Sequence, residues 1–430
     1  MIIVDTALEQ RERDGKPIRI ALIGAGYMGR GIARQIIIRT MGMRLVGISS
    51  RSVSDALRAY SEAGIDEVAT VESVQTLEDS IASRGAAVTE DPLLLCRAAN
   101  VDAIVDVTGD LELGARMALE AFAHGKHVIL LNAELDATVG PILKTYADRA
   151  GVVVTYSDGD EPGVAMNLYR TVRTMGFQPV MMGQIKGFLD RYRNPDTQRA
   201  FAEQHSQKPA SVAAFADGSK LNVESTMMAN ATGFTPVSRG MRGPQCAHVK
   251  DMIGSFSADE LLAGGLVDYA LGAEPHSGAF VVGYAEHPIE QQYLRYFKMG
   301  NGPFYLFYTP FHLPHLQLPA SVARAVLFHD ATLTPRGAPV CETGSFAKRD
   351  LAAGETLDGM GGFTCYGLID IYDVTQSERL LPIVLSAGCV LTRDIPKDQP
   401  VTYADVELPA GRLADQLYAE QVAAFPARSV

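Results

Sequence analysis

Residues 18–34 read IRIALIGAGYMGRGIAR, an apolar strand that breaks into glycines at 24, 26 and 29 and continues as a helical pattern. This stretch constrains the fold more than any other. A first glycine permits a tight turn, a second lets backbone approach a pyrophosphate, and a third lets helix and strand pack closely. The helix start then offers unpaired N–H groups to phosphates. Glycine turns are common, so the spacing gains meaning from its context: a strand precedes it, a helix follows, and MRLVGIS (43–49) supplies a second strand.

Three further apolar runs, VDAIVDVTG (101–109), KHVILLNA (126–133) and VVVTYS (152–157), alternate with helical stretches. Near-continuous apolar strands separated by helices predict a parallel sheet covered on both faces. The fold class expected is α/β: a doubly wound Rossmann domain over 1–163 with a helical insertion at about 52–100, in which AAVTED is a short strand. An α+β substrate and dimerisation domain is expected over 164–337, built as an antiparallel sheet with helices on one face. Its pieces are a short strand around PVMMGQIKG, a hairpin at Asp217–Gly218 followed by a helix ending near Asn230, strands in GAFVVGYAEH and PFYLFYTP, and a late helix, 318–328, returning to the nucleotide domain. A small β domain is expected over 338–430.

Ligands in doubly wound sheets sit at the carboxyl ends of the strands. Those ends carry Gly24, Gly26, Tyr27, Met28 and Gly29, then Ser50 and Arg51, then Thr108 and Gly109, then Asn132, as candidate cofactor contacts. No acid closes the second strand to take a ribose 2′-hydroxyl. Arginine and serine there favour a 2′-phosphate, hence NADP(H) over NAD(H); a surface role for Arg51 is the plainer alternative. The last strand end, SDGDEPG, brings Asp158, Asp160 and Glu161. Acids before a proline suit a helix start, and Asp158 is read that way. Asp160 and Glu161 are candidate catalytic carboxylates.

Lys186, in GQIKG, is a candidate for polarising a carbonyl or holding a substrate anion, against the simpler reading of a solvent-facing lysine. Arg191, Arg193 and Asn194 in the following loop are candidate substrate contacts. His312 and His315 are read as packing residues because prolines break the helix that would align them. No HExxH or similar ligand cluster occurs.

Composition excludes several classes. The 430 residues are 47% hydrophobic and 20% charged, with a net charge of −12 and no basic stripe, which argues against nucleic acid. Five scattered cysteines fit a reducing compartment. The charged N-terminus is unlike a signal peptide, and no apolar run reaches membrane-spanning length. A cytoplasmic chain is expected.

Near the C-terminus, AKRDLAAGETLD and LTRDIPKDQPVTYAD echo each other. These segments resemble the SAF domain, a β-clip module. With IGAGYMGRGI, DAIVDVTG, GKHVILLNAE, SDGDEPGVAMNLYR, IKGFLDRYRNPDTQ, ANATG, GGLVDYALGA, GPFYLFYTPFHL and LPASVARAVLF, the chain resembles the homoserine-dehydrogenase-like oxidoreductases that end in a SAF domain. The DXR-like (DRL) enzymes, 1-deoxyxylulose 5-phosphate reductoisomerases, are one branch of that family. The loop GFLDRYRNPDTQ is more like a different, wider branch, and Ala133 stands where homoserine dehydrogenases carry a lysine. The resemblance implies an NADPH-dependent reductase of a small polar carbonyl compound, such as a sugar phosphate or a sugar-derived or hydroxy acid. Lys186 would stabilise the alkoxide, Glu161 and Asp160 would orient substrate, move a proton or hold Mg or Mn, and Asn230 of ANATG would contact substrate. A homodimer or homotetramer is expected. The alternative of another class is a non-catalytic protein that senses NADP(H).

Overall fold

The computed structural model describes residues 3–428, which divide into two compact units. The first comprises the chain through Asp160 together with Leu313–Thr334 and Gln416–Tyr418. Its sheet has seven strands: β1 (Ile18–Ile23), β2 (Met43–Ser49), β3 (Val68–Thr70), β4 (Ala86–Thr89), β5 (Ala103–Asp106), β6 (His127–Leu130) and β7 (Val154–Tyr156). They run parallel in the order β3-β4-β2-β1-β5-β6-β7. The chain leaves β1 toward one side and later returns through β5 on the other, so the crevice where a doubly wound sheet binds its ligand opens between these two strands.

The strands form as the apolar runs require. Ile20, Leu22, Ile104, Val105, Val128, Ile129 and Leu130 are fully buried. Each such side chain contributes about 1.5–3 kcal/mol relative to exposure. The segment 52–100 differs from expectation. It is not a helical insertion with a single short strand: it supplies two strands, β3 and β4, that extend the sheet beyond β2. The helix Pro314–Phe328 packs on the helix Tyr27–Arg39 inside this unit, as expected of the late helix. Leu318, Val322, Ala323 and Ala325 enter the same core as Ile32 and Ile36.

The second unit comprises Glu161–His312, Pro335–Asp415 and Ala419 onward. Its sheet joins β8 (Gln178–Lys186), β9 (Leu266–Leu271), β10 (Ala279–Tyr284) and β11 (Phe304–Thr309) in the order β11-β10-β8-β9. The sheet is mixed and not antiparallel throughout, because β8 and β9 run parallel. Gly183 sits where a Cβ would lie 1.6 Å from the Asp268 carbonyl, so only glycine allows this pairing. The helix Glu161–Thr174 covers β8 and β10. The hairpin expected at Asp217–Gly218 is instead a turn between two helices, Pro209–Ala216 and Ser219–Thr232. Pro209 begins the first, and Gly218 takes φ +83° before the second.

The C-terminal strands, β12 (Cys341–Ala347), β13 (Cys365–Ile371), β14 (Val390–Leu391) and β15 (Val406–Glu407), form two short antiparallel pairs. The two echoing segments pair with each other: Leu351 and Ile395 exchange both backbone hydrogen bonds at 2.9 Å. These strands lie in the same unit as 161–312. The helix Ser219–Thr232 binds them through Ser219 Oγ, which accepts from Gly367 N–H at 2.9 Å, and Asn222 Oδ1, which accepts from Ile369 N–H at 2.9 Å. The five cysteines are free. Among the described residues no helix is long and apolar enough to cross a membrane.

Candidate active site

In the first unit, the glycine turn does what its spacing requires. Gly24 takes φ +107°. A Cβ on Gly29 would lie 2.1 Å from the Gly24 carbonyl oxygen, so the third glycine is needed for helix and turn to pack. Gly26 is the N-cap of the helix Tyr27–Arg39 without any side-chain cap, and a Cβ there would meet nothing within 4 Å. That open space in front of uncapped N–H groups is what an approaching pyrophosphate needs. Tyr27 is exposed and Met28 half-buried beside it.

The other strand ends divide by role. Ser50 is half-buried, its N–H held by the Thr89 carbonyl at 3.2 Å. Arg51 is exposed and makes no hydrogen bond or ion pair among the described residues. Thr108 binds Asp106 Oδ1 through both its N–H (2.9 Å) and its hydroxyl (2.7 Å). Asn132 donates to Asp106 Oδ2 at 2.9 Å and to the Asp110 carbonyl at 3.1 Å, while its Oδ1 caps the next helix at Leu135 N–H. Asp106 is fully buried, and burial pushes its pKa up against these hydrogen bonds. The Thr108–Asp106–Asn132 network therefore fixes the ends of β5 and β6. Gly109 turns with φ +64° at their mouth. The residues present fit a nicotinamide dinucleotide.

Asp158 and Gly159 shape the turn after β7. Asp158 N–H donates to Ser321 Oγ at 2.7 Å, and its carboxylate accepts from Gly159 N–H. A Cβ on Gly159 would lie 2.7 Å from the Leu313 carbonyl oxygen, at φ +87°. Asp160 accepts a hydrogen bond from the Tyr156 hydroxyl.

In the second unit, Glu161 opens the helix Glu161–Thr174, where its carboxylate complements the helix dipole. Lys186 ends β8, and its Nζ donates to Glu161 Oε1 at 2.7 Å. The side chains are 17% and 6% exposed, so the pair is largely withdrawn from water. His312 Nδ1 lies 3.5 Å from the same Oε1 and 3.0 Å from Ser277 Oγ. The structure thus brings together Lys186 and Glu161, each a candidate in the sequence, and places His312 and Ser277 beside them. His312, read from the sequence as packing, lies within reach of the Glu161 carboxylate, and Ser277 carries no sequence signal. Gln184 is fully buried two residues before Lys186, on the same sheet face, and neither end of its amide has a hydrogen-bond partner among the described residues.

The remaining candidates make other contacts. Arg191 stacks over the Tyr366 ring at 5.8 Å. Arg193 pairs with Asp190 at 3.1 Å and lies over Phe188. Asn194 caps the helix Pro195–Gln204 through Asp196 and Thr197 N–H. Asn230 is buried, and its Oδ1 accepts from Val340 N–H (2.7 Å) and Cys341 N–H (3.1 Å).

Comparison with known proteins agrees with this division. Residues 18–130 match a family model described as an oxidoreductase family with an NAD-binding Rossmann fold. Residues 159–318 match the model of the catalytic domain of oxidoreductase DRL. No curated protein matches the chain. Among solved structures, a probable dehydrogenase from Thermotoga maritima is 14% identical, with a TM-score of 0.39, over 63% of this chain and 73% of that one. GenD2 from gentamicin A biosynthesis, in complex with NAD, is 13% identical with a TM-score of 0.41, over 73% and 87%. A putative myo-inositol dehydrogenase from Sinorhizobium meliloti is 12% identical with a TM-score of 0.40, over 73% and 90%. Likenesses this distant carry no argument about the site. The two family models match parts of the chain: 18–130 is similar to an oxidoreductase-type NAD-binding Rossmann fold, and 159–318 is similar to the catalytic domain of oxidoreductase DRL.

Proposed function

We propose that the chain is an NADPH-dependent oxidoreductase acting on a small polar carbonyl substrate, such as a sugar phosphate or a sugar-derived or hydroxy acid. The observation that carries this reading is the ion pair of Lys186 with Glu161, which stands inside the DRL-matching region and shares its carboxylate oxygen with His312. A bound nicotinamide dinucleotide supplies the reducing equivalent. Gly26 and the uncapped helix start support its pyrophosphate. Arg51 and Ser50, with no acid at the end of β2, suit a 2′-phosphate.

The protein groups do the acid work. Lys186 Nζ, held as an ammonium by a carboxylate at 2.7 Å, donates a hydrogen bond to the carbonyl oxygen and follows it as charge develops there. Its proton passes to that oxygen, and Glu161 Oε1 keeps the amine oriented. His312, bonded to Ser277, can return a proton to the Lys186–Glu161 pair. Such a donor contributes on the order of 10²–10⁴ in rate. A divalent ion would draw on Glu161 and His312, an oxygen and a nitrogen donor.

The match of 159–318 to the DRL catalytic domain favours one second reading, reductive isomerisation of 1-deoxyxylulose 5-phosphate. Both readings are tested by following NADPH absorbance with a panel of sugar phosphates, sugar-derived acids and keto acids, with and without Mg²⁺ or Mn²⁺. Substrate-dependent NADPH loss supports the oxidoreductase. Consumption of 1-deoxyxylulose 5-phosphate selects the reductoisomerase. Tight NADPH binding with no turnover across the panel would support an NADP(H) sensor instead.

A further inference from the structure

The loop 187–194 follows the proposed acid, Lys186, directly, and it is held by residues from the far end of the chain. Lys348 is 5% exposed and directs its ammonium at three acceptors, each at 2.7 Å: the Arg193 carbonyl, the Gly362 carbonyl and the Asp217 carboxylate. The two carbonyls accept hydrogen bonds, and the carboxylate completes an ion pair. One residue back in the loop, the Tyr192 hydroxyl donates to both oxygens of Asp398, at 3.1 and 3.0 Å. The Tyr366 hydroxyl donates to Asp398 as well, at 3.0 Å. Lys397 Nζ lies 3.6 Å from the centre of the Tyr192 ring, and Arg191 stacks over Tyr366. On the other side of the loop, Asp190 N–H is fixed by the Ala216 carbonyl at 2.8 Å.

Burying a lysine ammonium costs several kcal/mol unless it is paired and hydrogen-bonded. A chain that needed only a tight turn could close it with neutral groups. Here a buried cation is aimed at the main chain of the loop beside Lys186, and the hydroxyls of exposed Tyr192 and buried Tyr366 meet on Asp398 to grip the same loop. We propose that the C-terminal β segment is a working wall of the substrate site, with Lys348 as the positioning residue that holds the 187–194 loop, and with it Arg191, in register with Lys186. The proposal rests on the reading of Lys186 as the carbonyl-polarising group. Its ligand class follows from the loop: the anionic or polyhydroxylated end of the substrate, read by Arg191, while the carbonyl end lies at Lys186.

The test uses the full chain with four variants. Lys348→Met combined with Asp217→Asn removes both buried charges, so neither is left alone. Tyr192→Phe breaks the exposed grip without touching the core. Lys348→Arg keeps a cation, and Arg13→Ala, at a surface pair with Glu9, is the control. Hydrogen–deuterium exchange is read on peptides covering 187–194, on β8 and β10, and on β1 and β5. Steady-state kinetics are read on the carbonyl compound that the panel turns over. The double variant and Tyr192→Phe should each raise exchange in 187–194 by about tenfold or more while β8, β10, β1 and β5 stay unchanged. KM should rise about tenfold with kcat within about threefold and NADPH affinity intact, and Lys348→Arg should recover most of the loss. Unchanged loop exchange, or exchange raised equally in the loop and in β8 and β10, overturns the proposal. An absence of turnover in the unmodified protein overturns the oxidoreductase reading alone, because the exchange comparison still decides whether Lys348 holds the loop.

Discussion

Lys186 Nζ and Glu161 Oε1 stand 2.7 Å apart, one at the end of a β-strand and the other at the start of a helix, with both side chains largely withdrawn from water. A pair in that setting is expensive to break, because the partner left behind is a charge without its counter-ion. It also holds the ammonium in one orientation. Lys186→Met should therefore lower kcat/KM by about 10²–10³ and leave NADPH affinity unchanged, as read by fluorescence titration. A loss of cofactor binding would instead place Lys186 in a folding role.

The glycines of the turn separate packing from ligand binding. Gly29→Ala puts a methyl 2.1 Å from the Gly24 carbonyl oxygen, so it should lower Tm and cost about 2 kcal/mol or more. Gly26→Ala meets nothing in the chain itself and should leave the Tm of the ligand-free protein near its original value. It should abolish the Tm gain on adding NADPH. Thermal melts of both variants, with and without NADPH, check this.

Arg51 makes no ion pair among the described residues, which leaves its guanidinium free for a 2′-phosphate. Arg51→Ala should weaken NADPH by about tenfold and NADH by less than twofold. Equal weakening of both, measured by titration, would contradict the NADPH preference.

Asp136 is a buried carboxyl whose Oδ1 has no hydrogen-bond partner among the described residues, and burial lifts its pKa from 3.8 to about 7. The sign follows directly. Between pH 3.8 and about 7 the unfolded chain has released this proton and the folded chain has kept it. Stability from this group is therefore complete below that window and is lost as pH rises through it. Asp136→Asn should raise stability by roughly 2–4 kcal/mol at pH 8 and change it little at pH 4, as measured by urea unfolding at the two pH values.

Legibility in the sequence followed how local each signal is. The Rossmann sheet was readable because its strands are continuous apolar runs and its turn needs glycines at fixed spacing. β3 was missed because Val68–Thr70 is three residues long and mostly exposed, with no apolar run to mark it. Asp217–Gly218 looks like a hairpin turn ahead of a helix, yet the preceding SVAAFA is helical as well, opened by Pro209. The parallel pairing of β8 with β9 depends on a long crossover that no local pattern encodes. Lys186 and Glu161 could be named singly from their strand and helix ends. Their meeting with His312 could not, since prolines around His312 hid any helical register and its partner lies far upstream. The grip of the C-terminal segment on the 187–194 loop has no local signature either, because Lys348, Tyr366 and Asp398 look like ordinary residues of a β module.

The most direct measurement is deuterium transfer. NADPH carrying deuterium at the reactive C4 position is incubated with the carbonyl compound that the panel selects, and the product is analysed by mass spectrometry. The unmodified protein should place the label on the former carbonyl carbon, and Lys186→Met should do so at a rate lower by about 10²–10³. Product without label, or equal labelling rates in the two proteins, would contradict the account of Lys186 and Glu161 as the acid end of an oxidoreductase site.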